Sequence, residues 1–379
     1  TNGKTTTTML VKHMLECQRG AKVGLIGTNQ NMIGDRVLPT ERTTPESYEL
    51  QKLFREMVDS GCDYCVMEVS SHSLELDRVA GIQFSVGVFT NLTQDHLDFH
   101  KTMENYRDAK SLLFEHLTDG SKPNKNAVFN MDDPSSAIIR ERTKANVLTY
   151  GEGHDNDIYP LSFTVEPKHM QLLLHTPVGE MDLELKITGE FNVYNVMGVI
   201  GAMLAENIDK DIIGSVLDGF DGVPGRFQLV EAGQPYTVIV DYAHTPDGLE
   251  NVLKTARSIT RGKLWVVFGC GGDRDNKKRP LMGALALGVL AFLPVGYYML
   301  SHMWGGLTPD EIAAGIQPNG DFIYTFTIGY ICRNLPGTAK ILLNTLGTQL
   351  PVWIQGILGL SLGEPIVYPV NASWAYGIG

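Results

Sequence analysis

Short apolar runs and longer stretches with helical spacing take turns along much of the chain. Thr7-Thr8-Met9-Leu10-Val11-Lys12-His13-Met14-Leu15 repeats its apolar residues at helical intervals, and Ala21-Lys22-Val23-Gly24-Leu25-Ile26-Gly27-Thr28 behind it reads as a short buried strand. Further strands are predicted over Cys62–Ser70, Phe84–Thr90 and Asn126–Asn130, with helices over Ser47–Ser60, Met103–Leu117 and Ser135–Thr143. Strands alternating with helices predict a parallel sheet flanked by helices, which collects ligands at the carboxyl ends of its strands. Between Leu161 and Leu185 the period shortens to that of a strand, as in Leu161-Ser162-Phe163-Thr164-Val165 and Gln171-Leu172-Leu173-Leu174-His175. Antiparallel strands added to the same sheet are expected there. Helices resume over Phe191–Asn207 and Lys210–Asp218. Turn chemistry at Gly222-Val223-Pro224-Gly225-Arg226 marks a domain boundary. Beyond it Tyr236–Tyr242, Asp247–Ser258 and Lys263–Gly269 read as strand, helix and strand, the start of a second α/β domain of Rossmann-like type.

With 379 residues the chain exceeds one typical domain. Its net charge of -12 argues against a nucleic-acid backbone as partner. Five cysteines in a chain of this size form no disulfide framework and suit a reducing cytoplasm. Cys62-x-x-Cys65 has no second pair at zinc-ribbon spacing and reads as core cysteines. No secretory signal opens the sequence. From Leu281 onward the basic residues are Arg333 and Lys340 and the acidic ones Asp310, Glu311, Asp321 and Glu364. Leu281–Pro309 and Ile341–Gly363 carry no charge, and either could span a bilayer, which takes about 20 apolar residues. Lys277, Lys278 and Arg279 would set the preceding part on the cytoplasmic side. Residues 284–379 are therefore expected to be a hydrophobic tail, either tethering the chain to a membrane or joined to it artefactually.

The candidate chemistry starts at Thr1-Asn2-Gly3-Lys4-Thr5-Thr6, directly ahead of the first helical pattern. In a Walker A loop, backbone N–H groups and a helix N-terminus cradle phosphates, the Lys reaches the β/γ-phosphates and the Ser/Thr hydroxyl meets Mg²⁺. Gly3-Lys4-Thr5 is the end of that motif; its leading glycine and strand are expected ahead of residue 1. A plain helix cap with a nearby lysine competes with this reading. Two further runs, Met67-Glu68-Val69-Ser70-Ser71-His72-Ser73 and Phe89 to His100, put acids and histidines at strand ends. Magnesium takes one or two carboxylates plus phosphate oxygens, so Glu68 beside Thr5 makes a plausible site.

Taken with Thr43-Thr44-Pro45-Glu46, Asn91-Leu92-Thr93-Gln94-Asp95-His96-Leu97-Asp98-Phe99-His100, Asp241-Tyr242-Ala243-His244-Thr245-Pro246-Asp247 and Val267–Asp275, these motifs make the chain resemble the Mur ligases over residues 1 to about 283. Within that family it is most similar to the branch that makes UDP-N-acetylmuramoyl-tripeptide. The resemblance implies a P-loop-type parallel-sheet ATPase domain over residues 1–222 and an incomplete second α/β domain over 223–283. It implies ATP-dependent amide ligation of meso-diaminopimelate or L-lysine to UDP-MurNAc-L-Ala-D-Glu through an acyl phosphate, in peptidoglycan precursor synthesis. By the same resemblance Gly3, Lys4, Thr5, Thr6, Asn91, Asn192, Asn195, Arg226, Asp241 and His244 would surround ATP. Thr5, Glu68, His96 and a carbamylated Lys110 would hold Mg²⁺, and Lys4, Lys110 and His96 would serve catalysis. Thr43, Thr44, Ser70, Arg78 and Arg274 would meet the UDP-MurNAc-dipeptide and the diamino acid. The ligase part would be a cytoplasmic monomer. Two departures are visible: the family's uridine-gripping domain and its Asp-Asn-Pro-Arg motif are absent from these 379 residues, so impaired ligation is expected. Alternatives are a membrane-tethered, non-catalytic nucleotide-binding remnant, or a folylpolyglutamate or cyanophycin synthetase-like ligase.

Overall fold

The computed structural model describes residues 1–260, 262–268 and 282–286. α1 (Lys4–Arg19) begins at the loop lysine itself, preceded by Gly3 in the left-handed region and closed by Gly20 in the same region. β1 (Val23–Ile26), β2 (Asn31–Ile33), β3 (Arg36–Leu38) and β4 (Tyr64–Met67) form one sheet in the order β3-β2-β1-β4, with β1 and β4 parallel. α2 (Ser47–Asp59) lies on it, closing Leu50 and Met57 over Ile26 and Ile33.

A second ladder of β5 (Val86–Phe89), β6 (Asn126–Asn130) and β7 (Asn146–Tyr150) is parallel throughout. Between its strands run α3 (Ser71–Glu75, ahead of β5), α4 (Leu97–His100), α5 (Met103–Glu115) and α6 (Ser135–Arg140). α5 and α6 cover one face through Phe114 and Ile139 on Phe89 and Phe129. The other face takes α7 (Glu190–Ala205), which is apolar around its circumference and consequently buried. Leu10 and Met14 of α1 share a core with Val196, Met197 and Ile200 of α7.

β8 (Tyr159–Val165), β9 (Met170–His175) and β10 (Met181–Leu185) form their own antiparallel sheet. The expected addition of these strands to the parallel sheet is thus corrected: only the isolated Tyr150–Ile158 bridge leads from one to the other. The cause is their alternation. Leu172, Leu174, Leu183 and Leu185 are buried while Gln171, Asp182 and Glu184 face water, a pattern that suits a sheet covered on one side. α8 (Lys210–Leu217) completes that layer.

Beyond the turn at 222–226, β11 (Gln228–Val230) and β12 (Val238–Val240) pair antiparallel, followed by α9 (Pro246–Ile259). The expected strand over Lys263–Gly269 is not formed across 263–268, where no described strand lies alongside to pair with it. Leu249 and Leu253 of α9 pack instead on Met282 and Ala286. Among the described residues no helix is long and apolar enough to cross a membrane, and the tail beyond residue 286 lies outside them.

β4 and β5 each end a ladder, and a cavity of about 760 Å³ lies between them, lined by Tyr64 and Val66 on one side and Val86 and Val88 on the other. Lys4 and Lys110 also line it.

Helix α7 can lie this close to β6 only because Gly201 has no side chain: a Cβ there would sit 2.6 Å from Cγ1 of Val128. Val128 is fully buried and β-branched, so it cannot swing away. Gly201→Ala is expected to destabilise the protein by about 1–3 kcal/mol, read as a lowered midpoint in a urea melt; an unchanged midpoint would contradict this packing.

Candidate functional site

The loop ahead of α1 is tied down over the end of β5. The Asn2 N–H donates to Oδ1 of Asn91 (2.7 Å), and the Asn2 carbonyl accepts from the Thr90 hydroxyl (2.8 Å) and from Nδ2 of Asn91 (3.2 Å). No side chain caps α1. Its first-turn N–H groups and its dipole are therefore not taken by a capping side chain. Gly3 is required on two counts. Its φ is 85°, and a Cβ would fall 2.3 Å from Oδ1 of Asn195. Asn195 is held by Asn192 (2.8 Å), which donates to the Thr188 carbonyl (2.8 Å), so both asparagines form a buried bracket inside α7.

Cations gather behind the loop. Lys4 Nζ donates to the Thr1 carbonyl. Burial lowers the Lys4 pKa, opposed by Glu68 and reinforced by Arg226. α5 carries Lys110 with its ammonium 4.9 Å from the centre of the Tyr106 ring. Burial, followed by the Lys4 charge, pushes the Lys110 pKa down to about 7, against Asp95 and Asp133. Thus Lys110 is far more readily deprotonated than an ordinary lysine.

Glu68, at the end of β4 and 2 % exposed, accepts from the Thr28 N–H and hydroxyl, both at 2.9 Å. His96 occupies a left-handed position at the start of α4, with Nε2 3.4 Å from Asp95 and its ring edge-on to His72. Desolvation, then the charges of His72, Lys4 and Lys110, lower its pKa, against Asp95. His100 donates to or accepts from Ser71 (2.9 Å) and stacks on Tyr106, so Phe99, His72, His100 and Tyr106 form an aromatic wall beside the lysines. Among the described residues no three His, Cys, Asp or Glu side chains gather as a metal-holding group. The expected set of Thr5, Glu68, His96 and Lys110 holds only two side chains of those kinds; Glu68 turns towards Thr28 and His96 towards Asp95.

Four of the expected substrate residues, Thr43, Thr44, Ser70 and Arg78, fall together. Thr44, 1 % exposed, donates to the Glu68 carbonyl (2.8 Å) and accepts from the Ser70 N–H (3.1 Å), and Thr43 meets Thr28 (3.0 Å). Arg78 pairs with Glu46 (2.9 Å) and donates to the Thr44 carbonyl (3.4 Å), while its buried Nε has no hydrogen-bond partner. From the second domain, Arg226 donates to the Thr5 hydroxyl (3.1 Å), lies over the Tyr242 ring and also has a buried Nε without a partner. Next to it, Met9, Thr28, Gln30, Val223 and Tyr242 line a cleft of about 410 Å³.

Asp241 is engaged by backbone groups. Its two oxygens accept from the Phe227 and Ala243 N–H groups, each at 2.7 Å, so it braces the left-handed turn at Phe227. Burial raises its pKa. His244 is exposed, with Nδ1 3.0 Å from the Tyr242 carbonyl. Arg274 lies outside the described residues. Sequence reading gave no role to Asp95, Asp133 or Tyr106, which set the electrostatics around Lys110, or to Asp247, which meets the loop at Asn2. Adjacency to His96 was the available signal for Asp95.

The Mur ligase middle domain profile matches residues 1–203, and that of the Mur ligase glutamate ligase domain matches residues 225–328, reaching past residue 283. A UDP-N-acetylmuramoyl-L-alanyl-D-glutamate--2,6-diaminopimelate ligase of Bacillus velezensis is 49% identical over 290 residues, 76% of this chain and 59% of that protein. The enzyme of the same name from Clostridium tetani is 50% identical over 287 residues, 75% and 58% of the two chains. The chain thus spans about three fifths of the length of these curated relatives. A solved structure of a ligase of that name superposes with a TM-score of 0.62 at 29% identity, covering 89% of this chain and 69% of the other. An FPGS-AMPPCP-folate complex superposes with a TM-score of 0.58 at 18% identity, covering 78% and 77%, a likeness of fold alone.

The Lys110 environment generates a direct test. With its pKa lowered to about 7, the Lys110 amine is neutral in a larger fraction than an ordinary lysine amine at any pH below about 10. Cyanate at pH 8 is expected to carbamoylate Lys110 faster than the exposed Lys52, and the ratio of the two rates to shrink as the pH is raised towards 10, as read by peptide mass spectrometry. Equal labelling of the two lysines at pH 8 would show that the amine is not depressed.

Proposed function

We propose, since the chain belongs to the Mur ligase family, that it carries the ATP-binding and ligation centre of a MurE-type enzyme. That enzyme would join meso-diaminopimelate to UDP-MurNAc-L-Ala-D-Glu in peptidoglycan precursor synthesis. The observation that carries this reading is the convergence of Lys4, Lys110 and Arg226 on an uncapped helix start. Mutually repelling cations with unused donors suit a polyphosphate. Diaminopimelate is preferred over L-lysine because the similar enzymes are named for it.

In the proposed reaction a carboxylate oxygen of the dipeptide attacks the γ-phosphorus of ATP and ADP leaves. The amine of diaminopimelate then attacks the acyl carbon, loses its proton, and phosphate departs as the amide forms. Lys4 would hold the β/γ-phosphates and Arg226 would approach from the second domain. Arg78 would offer its unpartnered Nε to a carboxylate or phosphate, for which a guanidinium fork is suited. Neutral Lys110 can take up carbon dioxide, and the resulting carbamate would present hard anionic oxygens. With Thr5, Glu68 and His96 it would hold Mg²⁺, which supplies charge neutralisation at the phosphate oxygens when bound. The donor set fits such an ion only together with the nucleotide, because Glu68 and His96 are otherwise engaged. This reading places the reaction in the cytoplasm on a monomer and needs no membrane attachment through residues 284–379.

The test is product formation by the polypeptide at its natural length. ADP release is expected only when ATP, UDP-MurNAc-L-Ala-D-Glu and diaminopimelate are all present, with the tripeptide product seen by mass spectrometry. Lys110→Ala is expected to lower turnover by about 100-fold or more. Formation of no amide with either diamino acid would falsify the reading.

A further inference from the structure

A hydrogen bond between residues 245 positions apart links the phosphate loop to the second domain: Nδ2 of Asn2 donates to Oδ2 of Asp247 at 2.6 Å. Neither partner is loosely held. The Asn2 backbone is fastened on both sides by Asn91 and Thr90, and its side-chain amide also reaches the Thr93 hydroxyl (3.4 Å). With the amide nitrogen facing a carboxylate and a hydroxyl, the flipped orientation would set oxygen against oxygen. Asp247 stands in the first turn of α9, a helix of 14 residues whose start is fixed by Pro246 and by the Thr245 hydroxyl accepting from the Gly248 N–H (3.1 Å). A carboxylate there is favoured by the helix dipole, and Asn251 steadies it from one turn on (3.4 Å).

We propose that Asp247 is a positioning residue that locks the second domain in register over the phosphate loop through Asn2. The inference rests on the nucleotide-binding reading above. Its argument is connectivity. The end of β5, the loop and α9 form one chain of hydrogen bonds, and the same second domain brings Arg226 to Thr5 and Pro224 to Asn29 (3.0 Å). Without Asn2–Asp247, the loop side of that docking keeps one charge-assisted bond, Arg226 to Thr5, and loses the other; such bonds are roughly twice as strong as neutral ones. Arg226 would then sample positions away from Thr5.

The experiment is calorimetric titration of the full chain with a non-hydrolysable Mg-ATP analogue. Asp247→Ala and Asn2→Ala are each expected to raise Kd about tenfold, and the double variant no further than either single one. Asp247→Asn keeps an acceptor oxygen and is expected to stay within a few-fold of the parent, a rescue that a loss of folding would not give. Parent-like binding by Asp247→Ala, or additive single effects, would overturn the latch. Should the parent bind no nucleotide, the functional reading fails, and the latch is decided separately by a double-mutant cycle in urea melts: Asn2→Ala and Asp247→Ala are expected to lower the midpoint non-additively, and additive losses overturn the contact.

Discussion

The close approach of Gly3 to Asn195 is the constraint on which the rest of the site depends. α1 has to emerge from the phosphate loop and at once pack along the buried α7, leaving room for hydrogen alone at the third residue. Asn195 is in turn set by Asn192 and the Thr188 carbonyl, so the loop conformation is written into the interior of α7. That arrangement leaves the start of α1 open while fixing it to within one hydrogen-bond network, the condition for recognising a phosphate by backbone groups. The same packing aims Lys4 at the space shared with Lys110.

The site is electrostatically unfinished. Burial and the Lys4 charge lower the affinity of Lys110 for a proton, and burial and the Arg226 charge do the same for Lys4. Asp95, Asp133 and Glu68 offset part of this without forming a cation cage among the described residues. Two guanidinium nitrogens are buried with nothing to donate to. An incoming polyanion would relieve both conditions at once, and that gain is available to a ligand in a way it is not to folding alone.

Much of this was legible beforehand. The strand over Asn126–Asn130 and the helices begun at Ser47, Met103 and Ser135 follow from periodicity, because each stands on one strongly apolar face. The β2–β3 hairpin escaped notice since three residues per strand carry too little alternation, and β7 was hidden in a polar-flanked stretch. Antiparallel β8–β10 were correctly read as strands but wrongly attached, because periodicity reports which face is wet and not which neighbour is paired. Among site residues, Gly3 and Lys4 speak through a motif. Lys110 speaks only through family resemblance, since its depressed basicity comes from burial and from Lys4, more than a hundred positions away. Asp241 carried its motif identity correctly, but its oxygens are already committed to backbone N–H groups.

The cavity between β4 and β5 has a further consequence. Each of those strands has a backbone edge that no described strand occupies, and the two edges face the same space. Unpaired N–H and C=O rows are templates for strand addition. A single extended apolar segment entering this slot would be hydrogen-bonded on both sides and would knit two ladders into one continuous sheet. A segment in that slot would bear on how firmly the Glu68 side is held against the Asn91 side.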